Sequence, residues 1–395
     1  MPYPLKDGGA AATFSLIKNL EKLGYEVDLF FLNTKKHFVN ETIVNKVFGQ
    51  NVTLANIDTS LSIWGGIKAL IQQRSYNLSR FYKYQIAQKL ISIVKNKHYD
   101  IIHFENLFMA PYLADISRHS NANFVLRMHN VEHQIWEKLA FFEKNILKKL
   151  YLAYLSQVLK KEEIILINHF DALLPISLED QNWVKEFSKS PSYYLPMGFD
   201  FNHSPLPEFG MRFFHIGSME WLPNKNAINW LIEEVWPIVH QKIPSASLHL
   251  AGKGMQNDYD KYVHSKENNS QIYIHGEVEN AQNFMQKNDI LCIPLQAASG
   301  LRIKALEAMI IGKPIVSSAI GMSGLKAKDG FNCLIANNAH EFAEKMILLA
   351  TKKELYLKIA NNAFEWVEEN YNNQKIYQGL FRFNNQIPKN YAKTQ

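Results

Sequence analysis

Apolar and polar positions along this chain change period repeatedly, and the sharpest change lies in SGLRIKALEAMIIGKPIVSS, residues 299–318. Leu301, Ala305, Leu306 and Met309 recur at three- and four-residue spacing, which predicts an amphipathic helix. Ser299 is placed as its N-cap, and Gly312 followed by Pro314 is a stop signal before a buried strand. Such a helix points its free amides back at Ser299 and Gly300, with Arg302 and Lys304 adding positive charge. That combination suits an anion, phosphate first. Glu307 shares a face with Gly300 and Lys304 and, at about 1.5 Å rise per residue, lies roughly 10 Å beyond Gly300. This is about the span from a diphosphate to a ribose, whose two hydroxyls a carboxylate can accept. The plain alternative is a solvated helix with a Lys304–Glu307 surface pair worth a few tenths of a kcal/mol.

The rest of the chain reads as two series of βα steps. A loop with Gly8 and Gly9 leads into a helix at Ala10–Leu23 and a strand at Glu26–Asn33; a glycine pair feeding a helix suits a phosphate, and also suits a mere turn. An α/β unit expects a strand before that loop, so we expect the first strand of the N-terminal sheet to be missing from this sequence. A short strand at Asn51–Ile57 and a helix at Leu78–Val94 follow. YDIIHFEN and NFVLRMHN are buried strands that deliver Glu105 and His129 at their carboxyl ends, where open parallel sheets bind ligands. A long helical region runs from Val131 to Leu166, then the strand DALLPIS and a capped helix at Leu178–Phe187. The Pro-, Ser- and Gly-rich stretch from Lys189 reads as a linker. From Met211 the pattern restarts with the strand MRFFHIGS, a helix at Asn226–Gln241, the strands SASLHLAG, QIYIHG and DILCIPL, and a helical end at Ala339–Phe383. The expected organisation is an α/β chain with an N-terminal domain at 1–190, a linker at 191–209 and a C-terminal domain at 210–371. A last helix at about 372–388 is expected to pack back on the first domain.

With 395 residues, 47% hydrophobic and 12% aromatic, the chain can bury two ordinary cores. Its net charge of +6 favours anionic partners, but the lysines are scattered and no arginine-rich arm appears, so nucleic acid is not expected. Cys292 and Cys333 are the only cysteines, which excludes a disulfide framework and a cysteine metal site and points to buried thiols in a reducing compartment. Met1–Pro2 opens no signal peptide, and no run of about 18 apolar residues occurs, so a cytoplasmic protein is expected. His129 and His133 are four apart and could share a helix face, but no third ligand accompanies them and HNVEH is not the HExxH order; no metal is expected. Between 138 and 161, Lys138, Lys144, Lys148, Lys149, Lys160 and Lys161 stand among Phe141, Phe142, Leu150, Tyr151 and Tyr154. That stretch suits an anionic membrane surface, or a helix packed on the sheet with a solvated lysine face.

Taken in order, PYPLKDGGAAATFSLIKNL, RMHNVEH, LPMGFD, FHIGSMEWLPNKNAINWL, LHLAGKG and SGLRIKALEAMIIGKPIVSS resemble the retaining nucleotide-sugar glycosyltransferases of family 4, group 1. The resemblance covers nearly the whole chain. It implies a GT-B fold of two facing Rossmann-like domains, with the donor held mainly by the C-terminal domain and the acceptor by the N-terminal one. It implies that Gly8 and Gly9 approach the donor phosphate, that His129 stands beside the transferred sugar and that Glu307 binds the ribose. The sequence departs from the family where the first glutamate of the E-x7-E motif would fall, at Ser299, and where an arginine is common, at Ser218. The diphosphate is therefore assigned to Arg302, Lys304, Ser299 and the amides of Gly300 and Leu301, with Lys253 and Lys225 in reserve. Glu105, Asn130 and Glu132 are assigned to the acceptor or sugar region. The implied reaction is retaining transfer of a hexose from a nucleoside-diphosphate sugar to a glycan or lipid-linked hydroxyl. It needs no metal or cofactor, and a place in cell-surface polysaccharide or lipopolysaccharide synthesis is the family-level expectation. A catalytically silent nucleotide-sugar-binding protein and a GT-B-like epimerase are the rivals.

Overall fold

Apolar runs form parallel strands, and at most steps the helix that follows covers them. The computed structural model describes residues 2–3, 8–35, 38–49, 51–60, 62, 64–66, 69, 74–143, 145–201, 207–255, 259, 271–296 and 302–388, with backbone alone at 8 and 142. Two units result, Met1–Gly198 with Asn373–Gln395, and Phe199–Asn372.

In the first unit, α1 (Gly8–Lys22) leads to β1 (Leu29–Thr34), α2 (Glu41–Phe48) and β2 (Val52–Ile57). β1 and β2 run parallel, Leu29 opposite Val52. After α3 (Tyr84–Asn96) come β3 (Ile101–Glu105), β4 (Asn123–Met128), α4 (Glu132–Phe142), α5 (Ile146–Ile167), β5 (Ala172–Pro175) and α6 (Leu178–Phe187). A second parallel sheet has the order β3-β4-β5. All six residues of β4 are buried because it is central and covered on both faces. Successive side chains of a strand point to opposite faces, so Phe124, Leu126 and Met128 join one core and Val125 the other.

Two expectations are corrected here. The long helical region is a hairpin of α4 and α5, because the Asn145 side chain accepts the Lys148 amide and caps a new helix. The helix expected from Leu78 starts at Tyr84, after a separate turn at Tyr76–Ser79.

The second unit contains β6 (Arg212–Ile216), α7 (Leu222–Trp230), α8 (Trp236–Lys242), β7 (Ser247–Ala251), β8 (Ile272–Gly276), α9 (Ala281–Gln286) and β9 (Ile290–Ile293). α10 (Ile303–Ile310), β10 (Ile315–Ser317), β11 (Leu334–Ile335), α11 (Ala339–Thr351) and α12 (Lys353–Tyr371) complete it. A π-helical turn at Leu231–Val235 joins α7 to α8. Pro237 in the first turn of α8 supplies no amide to an α-helical ladder. The described strands form one parallel sheet, β11-β10-β9-β6-β7-β8. Strand order therefore reverses between β6 and β9, the crevice where open α/β sheets take their ligands.

α10 departs from expectation at one end and meets it at the other. Arg302 is the N-cap, with φ −87° and ψ 79° outside the helical region, so the free amides begin at Ile303, four residues beyond Ser299. At the other end Gly312 takes φ 71°. The Lys313 amide then donates to the Ala308 carbonyl at 2.9 Å and the Gly312 amide to Met309 at 3.1 Å, closing the helix on its glycine. The final helix, α13 (Asn373–Asn384), belongs to the first unit. It buries Ile376, Tyr377 and Leu380 against Leu16, Val125, Leu174 and Leu195.

Candidate functional site

In the first unit, Glu105 ends β3 and His129 directly follows β4. β3 and β4 are hydrogen-bonded neighbours, so these ends converge. His129 Nε2 lies 2.9 Å from Glu105 Oε2, with 10% and 22% of the two side chains exposed. The Thr13 hydroxyl, on α1, donates to the same oxygen at 2.8 Å, and His103 Nδ1 stands 3.2 Å from Oε1. Beneath them Arg127 is wholly buried in β4, Nη1 donating to the Ala12 carbonyl at 3.0 Å and standing 3.7 Å from Glu105 Oε2. Burial on its own would raise the Glu105 carboxyl. The Arg127 charge, with hydrogen bonds from His103 and His129, outweighs it and holds the carboxyl well below the usual carboxylate range. Glu105 is thus an anion tying α1 to His129.

With Nε2–H donated to Glu105, the neutral imidazole keeps a lone pair at Nδ1, and the protonated ring donates from Nδ1. Its orientation is set by Glu105, so His129 can accept or donate a hydrogen bond at the carboxyl end of the sheet. Gly8 and Gly9 form the first turn of α1, whose leading amides have no acceptor inside the helix.

Glu132 and His133 begin α4, and the buried Glu163 of α5 accepts both of their amides, at 2.9 and 3.1 Å, and His133 Nδ1 at 2.7 Å. His133 therefore serves the helix start and is turned to a different carboxylate from His129. Among the described residues no group of three or more His, Cys, Asp or Glu is placed to hold a metal. Burial, and then the charge of Glu163, pushes the Glu132 carboxyl up to about 7, against a hydrogen bond from Asn130.

In the second unit, the loops after β6 and β7 meet through glycines: a Cβ on Gly252, where φ is 148°, would sit 1.7 Å from the Gly217 carbonyl oxygen. The two loops thus pack backbone on backbone, which a side chain at 252 would prevent. Lys253 pairs with Glu220 at 2.8 Å across these two loops, both side chains exposed. Lys225 lies on α7, and its carbonyl accepts the Tyr259 hydroxyl at 3.3 Å. His215, buried in β6, lies 2.8 Å through Nδ1 from the Cys292 carbonyl. Arg302 is at the start of α10, its guanidinium pKa lowered by burial. Lys304 and Glu307 form an i,i+3 pair at 2.7 Å, 45% and 31% exposed; this is the surface pair of the plain alternative. Ser299, Gly300, Leu301 and Lys144 lie outside the described residues.

Sequence reasoning passed over Arg127, Thr13, His103 and Glu163. Arg127 carried a signal, a cation inside the apolar strand NFVLRM, which needs a buried partner. Thr13 and Glu163 carried none, because their partners are 92 and 30 residues away, and His103, two residues before Glu105 on the same strand, is an ordinary strand residue by type.

The family described as Glycosyltransferase Family 4 matches residues 6–203, and Glycosyl transferases group 1 matches residues 210–352. An uncharacterized 44.6 kDa protein in the cps region of Klebsiella pneumoniae is 24% identical over 395 residues, 97% of each chain. TarM of S. aureus, solved with Fondaparinux, alpha-GlcNAc-glycerol and UDP, superposes at TM-score 0.63 with 14% identity, covering 96% of this chain and 97% of that one. Anabaena HepE with UDP and glucose gives 0.59 and 16%, covering 95% and 96%. Sucrose-phosphate synthase from Thermosynechococcus elongatus gives 0.63 and 14%, covering 96% and 93%. The fold is GT-B, and the chain belongs to glycosyltransferase family 4 and is a glycosyltransferase.

Proposed function

We propose that this protein transfers a hexose from a nucleoside-diphosphate sugar to a hydroxyl of a glycan or lipid-linked acceptor, with retention at the anomeric carbon. The observation that carries the reading is His129 held by the partly buried Glu105 anion at the carboxyl end of β4. In that place the ring hydrogen-bonds the transferred sugar. Departure of the diphosphate builds negative charge, which Arg302, Lys304 and the amides opening α10 stabilise; each such donor is worth roughly 3 kcal/mol in the transition state. With those groups present the chemistry needs neither metal nor cofactor. Glu307, released from Lys304, accepts the ribose hydroxyls. The UDP and UDP-glucose named for HepE and TarM make UDP-sugars the first donors to try. The relative from a cps region supports a place in cell-surface polysaccharide synthesis.

A thermal-shift screen of nucleoside diphosphates and their sugars, followed by nucleotide release with a pool of lipid-linked and oligosaccharide acceptors, tests this. A stabilising donor turned over only with acceptor is expected, with EDTA leaving the rate unchanged. His129→Ala and Arg302→Ala should lower kcat, and Glu307→Ala should raise the donor KM. Unchanged transfer rates in all three would reject these roles. Binding without turnover would favour the silent nucleotide-sugar-binding protein, to which Ser299 in place of a glutamate also points. Conversion of donor without acceptor would favour an epimerase.

A further inference from the structure

In the first unit, β2 and the loop between β1 and α2 enclose a groove of about 570 Å³, within the size range of small-ligand sites. Among the described residues its lining shares none with the Glu105–His129 centre. It follows β2 from Val52 to Asn56, a run of roughly 13 Å at strand rise. The buried Asn33 holds the wall in place: its Nδ2 donates to the Val39 carbonyl at 2.9 Å and its Oδ1 accepts the Val39 amide at 3.1 Å. The side chain of Asn40 then caps α2 by accepting the Thr42 amide at 2.9 Å, which leaves its Nδ2 hydrogens for a ligand.

The chemistry of the lining identifies the ligand. The Thr53 hydroxyl, the Asn56 amide and the Glu41 carboxylate have no hydrogen bond or ion pair among the described residues. Phe38 lines the same groove with 65% of its surface exposed. Hydroxyls and amides both donate and accept, and an aromatic ring offers an apolar face. A pyranose presents the complement, hydroxyls around its rim and a C–H face. Other occupants fit less well. A phosphate or other anion would meet the Glu41 carboxylate, and the lining cation, Lys89 of α3, already donates to the Leu54 carbonyl at 2.9 Å. That same bond occupies a backbone acceptor of an end strand, which an added peptide strand would need.

We propose that this groove holds a neutral oligosaccharide at a site separate from the transfer centre, with Phe38 packed on a sugar face and Asn40, Thr53 and Asn56 hydrogen-bonded to its hydroxyls. Use of that glycan as an acceptor rests on the transfer reading, but its binding does not, since no donor is required. The test is an array of neutral and acidic oligosaccharides probed with the full-length protein in the absence of nucleotide, followed by calorimetry on the best-bound neutral glycan. Wild-type protein should bind a neutral glycan, and Phe38→Ala with Asn56→Ala should weaken its Kd at least tenfold. Both side chains are exposed, so the melting temperature of that variant and its affinity for UDP should stay unchanged. His129→Ala should leave the glycan Kd as it is. Glycan binding by a protein that transfers nothing would keep this site and reject the transfer reading. Three results overturn the proposal: no neutral glycan bound by the wild type, a preference for acidic glycans, or affinity lost in His129→Ala and kept in the double variant.

Discussion

At the scale of single residues, Arg127 and Glu105 decide how His129 is presented. Arg127→Met removes the buried cation facing a partly buried carboxylate and should destabilise the protein by about 3 kcal/mol, measured by urea unfolding. It should also lower kcat through the loosened His129, with little change in donor KM. Lys304→Ala removes only an exposed partner and should change stability by less than about 0.5 kcal/mol. Glu132 gives a pH signature. Its folded carboxyl titrates near 7 against an ordinary 4.5, so between these values the folded protein holds a proton that the unfolded chain releases. Stability from this group is full below pH 4.5 and falls as pH rises toward 7, by roughly 3 kcal/mol at most. Glu132→Gln should flatten that part of the melting-temperature profile; an unchanged slope would mean the group is solvated.

Among the elements, the glycines that end helices and strands carry separate costs. Gly312 closes α10 at φ 71°, so Gly312→Ala should cost about 1 kcal/mol in urea unfolding. Gly252→Ala meets the Gly217 carbonyl as well as a strained φ and should cost about 3 kcal/mol or more, with loss of nucleotide binding. The glycine after α10 was legible because a left-handed terminus followed by proline is written locally, in IIGKP. The same holds for Leu178–Phe187, where Ser177 caps the helix by accepting the Asp180 amide. The start of α10 was not legible: Ser299 is a good cap by type, but the backbone at Arg302 leaves the helical region. Nor was the break between α4 and α5, since the apolar period runs on through it, while the backbone turns extended at Glu143 and Asn145 caps the next helix.

For the whole molecule, two units with separate cores predict two calorimetric transitions. Leu380 lies in the last helix yet is buried in the core of the first unit. Leu380→Ala should therefore lower that unit's transition by about 3 kcal/mol and leave the other in place. A bound nucleoside diphosphate should raise chiefly the transition of the second unit, by mass action; equal shifts in both would place the nucleotide contacts elsewhere.

The sequence by itself determined the succession of parallel strands and covering helices, the glycine turns and the family, because period, caps and stops are local properties of neighbouring residues. It also set Glu105 and His129 at the carboxyl ends of two strands. Only the tertiary structure decided that these two side chains meet at 2.9 Å over a buried Arg127 and a threonine from α1. A buried charge must find its partner wherever the fold brings one, and sequence separations of 24 and 92 residues carry no periodic signal of that meeting.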